Sequence, residues 1–186
     1  MKFNESLQEC KNEPNDLFFT PPHLAKQLVN IIDQYGHFEH GDIILDPCSG
    51  KGAFFHAFGH CLNSSKNSFK FLECEIEKGV DFYEFKQDVD WIISNPPFSD
   101  LTKWLNHTML LNPKGFAYIM PTYSLTYSRL KEIESFGYYV EKTVIIDNPK
   151  HWNIGFAMAF YLFTKTGCRS TRLVNKIEPK QSRLDV

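Results

Sequence analysis

The sequence predicts an α/β protein with one mostly parallel sheet and helices on both of its faces. Short apolar segments such as "DIILDP" (42–47) and "VDWIIS" (89–94) alternate with segments whose apolar residues recur at helical spacing. This alternation is typical of βαβ units, whose successive strands lie parallel and are covered by the connecting helices. Only a loop separates the last two predicted strands, so the sequence predicts that this final pair is antiparallel.

The predicted elements can be placed along the chain. The first helix lies in "FFTPPHLAKQLVNIIDQYG" (18–36), where Thr20 can cap it, Pro21 suits its first turn and Gly36 ends it. Three more helices are predicted: one directly after "CSGKG" (48–52), one over Ser99–Leu111 and one over Thr126–Phe136. The predicted strands are 42–47, 68–76, a short segment at 79–85, 89–94, 116–121, 138–146 and 156–163.

Length and composition indicate a single globular domain. The 186 residues suffice for a full core, and 42% hydrophobic with 23% charged residues argues against disorder. We predict a flexible lead-in at 1–16, one domain at 17–164 and a basic C-terminal tail at 165–186. A formal charge of −2 gives no global basic field, which argues against tight nonspecific binding of nucleic acid by charge alone. The tail could contact phosphates, although a solvated terminus explains its charge equally well.

Cysteine and histidine patterns predict no disulfide and no metal site. The five cysteines form no CxxC pair, and the start of the chain does not resemble a signal peptide, so a reducing cytoplasm is expected. His56 and His60 are four residues apart, but no Glu follows His56 as it does in a metalloprotease helix. No apolar run approaches the ~18 residues of a membrane span, so no membrane partner is expected.

Polar residues fall where the predicted strands end. Asp46, Glu75, Asp81 and Asn95 each lie at or just past such an end. In open α/β sheets, ligands bind beyond the carboxyl ends of the strands, at the point where the strand order reverses. The sequence therefore predicts that these four side chains converge on one rim.

The glycine loop "DPCSGKGAFF" (46–55) differs from the common phosphate-binding loops. A P-loop requires glycine at position 45, which is Leu45, and a dinucleotide fingerprint requires Gly or Ala where Phe55 stands. A carboxylate at Asp46 would repel a diphosphate but attract an ammonium group. An amino-acid-bearing nucleoside fits this pattern, because Glu75 can accept hydrogen bonds from ribose hydroxyls and Asp81 one from an adenine amine.

Four motifs together resemble a known family. "FFTPP" (18–22), "LDPCSGKGAF" (45–54), "EIEKGVDF" (75–82) and "NPPF" (95–98) occur in the order found in S-adenosylmethionine-dependent N6-adenine DNA methyltransferases. The resemblance covers roughly residues 17–164 and implies a class I, Rossmann-like methyltransferase fold. It also implies that the protein acts in the cytoplasm of a bacterial or phage-infected bacterial cell. It implies S-adenosylmethionine as cofactor, S-adenosylhomocysteine as product, and DNA with a flipped or single-stranded adenine as substrate.

The resemblance also implies roles for individual residues. The methionine end of the cofactor would be lined by Phe19, Thr20 and Pro21, and its amino-acid part would be held by Asp46 with Gly50 and Gly52, in a binding motif that also contains Cys48 and Phe54. The ribose would be held by Glu75, with Glu73 as the alternative. The adenine would be held by Asp81 and Phe82. The catalytic set would be Asn95, Pro96, Pro97 and Phe98.

The Asn-Pro-Pro-Phe turn suits methylation of a planar nitrogen. An exocyclic adenine amine is a poor nucleophile, because its lone pair is delocalised into the ring. The Asn95 oxygen and the Pro96 main-chain carbonyl can each accept one N–H, which favours a pyramidal nitrogen, while the two prolines stiffen the turn. Phe98 would stack on the extruded base.

Two departures from the family pattern bear on the substrate. Only five residues separate Glu75 from Asp81, so the helix expected there is deleted or reduced to a turn. About 20 residues follow the last predicted strand, too few for a recognition domain. We therefore expect a compact catalytic domain that recognises its site through loops such as Tyr123–Arg129 and Lys150–Gly155, or through a partner protein. Tyr123 and Trp152 could stack on bases, or simply pack in the core.

Two alternatives remain open at this stage. Methyltransferases that act on RNA or on a protein glutamine amide also use an Asn-Pro-Pro-aromatic turn. A catalytically idle, cofactor-binding subunit of a partner enzyme is the non-enzymatic alternative, although such a subunit has no chemical need for an intact NPPF turn.

Overall fold

The structure is a computed structural model that describes residues 18–34, 38–62, 68–150, 152 and 154–166. Its helices are α1 Pro22–Gln34, α2 Ala53–Leu62, α3 Leu101–Leu110 and α4 Tyr127–Ser135. Its strands are β1 Ile43–Asp46, β2 Lys70–Glu73, β3 Trp91–Ser94, β4 Gly115–Pro121, β5 Tyr139–Ile146 and β6 Met158–Thr164. The predicted lead-in 1–16 and residues 167–186 of the predicted tail lie outside the described residues.

The six strands form one sheet in the order β2-β1-β3-β4-β6-β5. The pairs β1–β2, β1–β3 and β3–β4 are parallel, whereas β6 runs antiparallel to both β4 and β5. The predicted fold class is confirmed, including the antiparallel final pair. The chain passes from β1 outward to β2 and then returns to β3 on the other side of β1, so the strand order reverses between β1 and β3.

Helices cover both faces of the sheet. On one face α1 and α2 pack against alternate strand residues that include Ile44, Ile93 and Ala117. On the other face α3 and α4 pack against the intervening positions, among them Leu45 and Ile92. Because both sides of each central strand are covered, these strands are apolar throughout rather than alternating, as the sequence shows.

The structure of residues 76–84 differs from the sequence-based prediction. The segment 79–85 was predicted to be a strand, but the structure has 3-10 turns at Ile76–Lys78 and Phe82–Glu84. The Glu75 and Asp81 carboxylates accept hydrogen bonds from main-chain N–H groups two residues ahead, which competes with strand pairing. The expected shortening of the connecting helix to turns is confirmed.

The first helix also differs slightly from its prediction. It begins at Pro22 rather than in the turn containing Pro21, and it ends at Gln34. A proline is tolerated at the first helical position because its missing N–H would have no partner within the helix. Thr20 therefore lies two residues before the helix and outside its capping position.

Gly115 sets the close approach of β3 and β4. It pairs with Trp91 in the parallel register, and a Cβ at this position would lie 2.5 Å from Trp91 Cζ3 and 2.7 Å from the Phe163 main-chain oxygen. The Trp91 indole cannot easily move away, since its Nε1 donates a hydrogen bond to the buried Asp42 carboxylate at 3.1 Å. The position of β3, which leads directly into Asn95, thus depends on the absence of a side chain here.

We expect Gly115→Ala to lower the free energy of unfolding by ~1–3 kcal/mol, because the added methyl group overpacks the core between two strands. Urea denaturation followed by tryptophan fluorescence measures the change. Gly155→Ala is the matched control, since no atom lies within 4 Å of its added Cβ, and it should change stability by less than ~0.5 kcal/mol. Equal effects of the two substitutions would contradict this packing argument.

Candidate active site

A cavity of about 350 Å³ lies at the carboxyl ends of β1 and β3, where the strand order reverses. Its walls are the segment 18–20 before α1, the glycine loop after β1, the turns at 75–83 and the Asn-Pro-Pro turn after β3. We call it the rim cavity. The four elements come from distant parts of the sequence, and the sheet brings them together.

Most of the predicted site residues line the rim cavity. They are Phe19, Thr20, Asp46, Cys48, Gly50, Phe54, Glu75, Asp81, Phe82, Asn95 and Pro97. The predicted residues that do not line it are Pro21, Gly52, Pro96 and Phe98. Pro21 instead lines a separate groove between α1 and the end of β5. The structure thus brings most of the predicted set to one place, while the role of each residue remains a prediction.

Asp46 is buried at the end of β1, with 1% of its surface exposed. Its Oδ1 accepts hydrogen bonds from the Ser94 hydroxyl at 2.7 Å and from the Cys48 main-chain N–H at 3.2 Å. Burial is the main cause that raises the pKa of Asp46 to about 7, although these two hydrogen bonds act in the opposite direction. Because burial disfavours the charged form of this carboxyl group, a cationic group placed beside it would stabilise the carboxylate.

Glu75 connects the turns to the glycine loop. Its Oε2 accepts a hydrogen bond from the Gly50 main-chain N–H at 2.6 Å, and its Oε1 accepts one from the Glu77 N–H at 3.3 Å. Glu73, the alternative candidate for the ribose, is exposed and does not line the rim cavity. Of the two acids, Glu75 is therefore the one placed to meet a ligand.

The far end of the rim cavity is aromatic. Phe82 is 3% exposed and its ring centroid lies 4.6 Å from that of Trp104 on α3, while Tyr83 also contributes to the wall. Asp81 lies beside these rings, and its Oδ1 accepts a hydrogen bond from the Tyr83 N–H at 2.9 Å. Sequence reasoning missed Trp104 and Tyr83 as cavity residues, because the helical spacing of Trp104 indicated only a core position.

The Asn95 amide is oriented by the N-terminal segment. Its Nδ2 donates a hydrogen bond to the Phe18 main-chain oxygen at 2.6 Å, and since that oxygen can only accept, the amide oxygen must face the other way. Asn95 Oδ1 is buried and has no hydrogen-bond partner. An unpaired buried acceptor costs about 1–3 kcal/mol, which is consistent with a site awaiting a donor.

Aromatic rings tie the Asn-Pro-Pro turn to the same segment. The Phe98 ring stacks on Phe18 with centroids 5.8 Å apart and planes 18° apart. Trp152 packs against Phe18, and its Nε1 donates a hydrogen bond to the Phe19 main-chain oxygen at 3.0 Å. Trp152 is only 3% exposed, so of its two proposed roles the core role agrees with its position, whereas Tyr123 is 64% exposed beside Phe156.

Other chemistries find little support in the described residues. Burial raises the pKa of the Cys48 thiol to about 12, so it stays protonated at neutral pH and is a poor nucleophile. Within the described ranges, no group of three or more His, Cys, Asp or Glu side chains could hold a metal ion. None of the helices in that part of the chain has the length and apolarity of a membrane span.

Comparisons with known proteins identify the fold. No protein-family model matches the sequence, and no curated protein matches it. Among solved structures, it is similar to the methyltransferase subunit of a type I restriction-modification system from Streptococcus thermophilus, with 14% identity and a TM-score of 0.62 over 83% of this chain. The chain spans 46% of that subunit.

Two further solved structures share the architecture. One is a Listeria monocytogenes protein assigned as a class I S-adenosylmethionine-dependent methyltransferase, with 11% identity and a TM-score of 0.61 over 94% of this chain and 66% of that one. The other is a Pyrococcus horikoshii protein assigned as an RNA methyltransferase, with 20% identity and a TM-score of 0.55 over 83% of this chain and 91% of that one. The chain therefore has the class I methyltransferase fold.

The buried Asp46 predicts an unusual pH dependence of stability. Because its pKa is raised to about 7, the native protein keeps a proton between about pH 4 and 7 that the unfolded chain has released, and the free energy of unfolding falls as the pH rises through this range. Asp46→Asn can keep both hydrogen bonds without a charge. We expect this variant to be ~1–3 kcal/mol more stable than the wild type at pH 8 and nearly equal to it at pH 4.5.

Urea denaturation at the two pH values measures this difference. Asp88→Asn, at an exposed carboxylate, serves as the control for the general loss of one negative charge. A wild type that is more stable than Asp46→Asn at pH 8 would show that the carboxylate is stabilised by its surroundings rather than strained by burial.

Proposed function

We propose that this protein transfers a methyl group from S-adenosylmethionine to the exocyclic N6 amine of adenine in DNA. The observation that carries the proposal is the pairing of two features at one rim. Asp46, a buried carboxylate, and Asn95, whose amide oxygen is buried without a hydrogen-bond partner, both belong to the lining of one cavity of nucleoside size. The Ser94–Asp46 hydrogen bond connects them through the residue that precedes Asn95.

The groups along the rim cavity fit S-adenosylmethionine. Asp46 suits the ammonium group at one end, and Glu75 keeps free lone pairs for ribose hydroxyls beyond its bonds to Gly50 and Glu77. Asp81 and the buried Phe82 suit the amine and the face of adenine. The volume of about 350 Å³ is within the range of small-molecule sites.

The reactivity of the target amine would be set by the protein. When bound, S-adenosylmethionine supplies an electrophilic methyl group on a sulfonium ion. Asn95 Oδ1 accepts one N–H of the amine and the Pro96 main-chain carbonyl accepts the other, and the turn keeps these two acceptors in place because Pro96 and Pro97 have fixed φ angles. Holding the hydrogens on one side directs the nitrogen lone pair to the other side, which is a contribution of positioning.

The target base must leave any helical stack to reach Asn95. Stacking of a base on an aromatic ring is worth ~1–3 kcal/mol, and Phe98 is the ring beside Asn95. Its partner in this structure is the Phe18 ring. The base therefore either displaces Phe18 or uses the opposite face of Phe98. We further propose that site choice comes from the segment 123–129, which includes the start of α4, from the segment 150–155, or from a partner protein.

Removal of the Asn95 amide tests the chemistry. We expect Asn95→Ala to lower kcat at least ~100-fold, because the target amine loses its acceptor, while the Kd for S-adenosylmethionine changes less than ~3-fold. Tritiated methyl transfer and calorimetric titration measure the two quantities.

Asn148→Ala is a closely matched control for this variant. The Asn148 amide also donates to a main-chain oxygen, that of Phe156 at 2.8 Å, and its Oδ1 is also buried without a partner, but it lies outside the rim cavity. Its kcat should fall less than ~10-fold. Unchanged methylation by Asn95→Ala would rule out the proposed role of the amide.

A panel of methyl acceptors distinguishes the DNA proposal from its alternatives. Duplex DNA, single-stranded DNA, RNA and a glutamine-containing protein are offered with tritiated S-adenosylmethionine, and labelled DNA is digested to identify N6-methyladenine. Label in RNA or protein alone would replace DNA as the substrate. Cofactor binding without transfer to any acceptor would favour the idle-subunit alternative.

A further inference from the structure

A side-chain hydrogen bond joins two of the walls that form the rim cavity. The Tyr83 hydroxyl donates to Asp100 Oδ2 at 2.8 Å. Tyr83 lines the cavity next to Phe82, whereas Asp100 lies two residues after Phe98, where α3 begins. The bond therefore connects the turn at the aromatic end of the cavity to the segment that follows the Asn-Pro-Pro turn.

Asp100 does not play the role that its position favours. It is the N-cap residue of α3, where Asp is preferred because its carboxylate can accept hydrogen bonds from the first N–H groups of a helix. Its side chain makes no such capping bond and instead accepts the Tyr83 hydroxyl. Natural proteins break local rules of this kind mainly at functional sites, which directs attention to the contact with Tyr83.

The Tyr83 ring is held by the first two turns of α3. Lys103 Nζ lies 3.7 Å from the ring centroid, and the rings of Trp104 and His107 pack against it with centroids 5.9 Å and 5.7 Å away. Positions 100, 103, 104 and 107 lie on one face of a helix. Burial, followed by the hydrogen bond to Asp100, raises the pKa of Tyr83, so its hydroxyl stays protonated at neutral pH and remains a donor.

The main chain of Tyr83 is held from the cavity side. Asp81 Oδ1 accepts a hydrogen bond from the Tyr83 N–H at 2.9 Å, which caps the turn Phe82–Glu84. On the proposed function, Asp81 and Phe82 are the residues that meet the adenine of the cofactor. Two successive hydrogen bonds at Tyr83 therefore connect the adenine end of the cavity to Asp100, and a ligand that restrained the turn would restrain Tyr83 with it.

We propose that Tyr83 is a positioning residue, whose hydroxyl bond to Asp100 couples occupation of the adenine end of the rim cavity to the ordering of the Asn-Pro-Pro-Phe turn; this rests on the proposed function, in which that end holds the adenine of S-adenosylmethionine. The bound cofactor restrains the turn Phe82–Glu84, Tyr83 then restrains Asp100, and the preceding turn is held where Asn95 receives the target amine.

Hydrogen–deuterium exchange tests this coupling without a methyl acceptor. Exchange of the amides of residues 98–104 is compared with and without S-adenosylhomocysteine by mass spectrometry. In the wild type, we expect the ligand to slow this exchange about threefold to tenfold. In Tyr83→Phe, which keeps the ring but loses the hydroxyl, the ligand should slow it less than about 1.5-fold.

Changes at Asp100 test the other side of the bond. Asp100→Ala should reproduce the effect of Tyr83→Phe, and the double variant should resemble either single variant, because the same bond is missing in all three. Asp100→Asn keeps an acceptor oxygen and should recover at least about half of the ligand-dependent protection.

Methyl transfer provides a second measurement. We expect kcat of Tyr83→Phe to fall about threefold to tenfold, because the turn that carries Asn95 is less well positioned. The Kd for S-adenosylhomocysteine should rise less than about threefold, since linkage limits the change in ligand affinity to the size of the coupling that is lost.

Tyr138→Phe is the matched control for loss of a tyrosine hydroxyl. The Tyr138 hydroxyl donates to the buried Pro113 main-chain oxygen at 2.7 Å, outside the rim cavity and before the amino ends of β4 and β5. This variant should lower the melting temperature at least as much as Tyr83→Phe does, because a buried carbonyl loses its partner. Its kcat and its ligand-dependent protection should stay within about 1.5-fold of the wild type.

The outcomes separate this inference from the proposed function. If the wild type binds S-adenosylhomocysteine but the protection is absent, persists in Tyr83→Phe and Asp100→Ala, or is lost equally in Tyr138→Phe, the coupling is wrong while the proposed function stands. If the wild type does not bind S-adenosylhomocysteine, the proposed function itself fails.

Discussion

One buried hydrogen bond, from the Ser94 hydroxyl to Asp46 at 2.7 Å, joins the two halves of the site. Ser94 ends β3 and Asp46 ends β1, and these are the neighbouring strands between which the strand order reverses. Each strand is followed at once by a loop that contributes to the rim cavity, the glycine loop after Asp46 and the Asn-Pro-Pro turn after Ser94. This interaction of buried groups adds to the parallel pairing of β1 and β3 in holding the two loops in register, and the proposed cofactor and the proposed target amine must agree closely in position for transfer to occur.

The cost of that arrangement is concentrated in Asp46. A carboxylate that is 1% exposed, with the Glu73 and Glu75 carboxylates nearby, is poorly solvated, and its raised pKa expresses this. The Ser94 and Cys48 hydrogen bonds reduce the cost without removing it. An isolated structural role would not require a charge here, because an amide could accept the same two bonds. The proposed cationic ligand would give the acid a role, because pairing with the ligand offsets the desolvation of the carboxylate.

The sequence predicted the layered fold and most of the residues that line the rim cavity, because apolar strands, glycine turns and polar strand ends are local patterns. It could not predict the partners of those residues. The Phe18 main-chain oxygen that orients Asn95 has no side-chain signature and lies 77 positions away in the chain. The sequence around Ser94 indicates only a small residue at the end of a buried strand and does not indicate its hydrogen bond to Asp46. The wrong strand at 79–85 has a local cause, since Glu75 and Asp81 cap short turns in a segment whose composition also suits a strand.

The segment 18–20 has a role that its "FFT" side chains alone do not suggest. Its main-chain oxygens accept hydrogen bonds from both sides of the site, at Phe18 from Asn95 and at Phe19 from Trp152. Meanwhile the Phe19 ring covers the glycine loop and the Phe18 ring covers Phe98. The same three residues therefore form a wall shared by the proposed cofactor and base sites. If the target base displaced the Phe18 ring, it would also disturb the carbonyl that orients Asn95, so on the proposed function this route of entry would link filling of the base site to the alignment of the Asn95 amide.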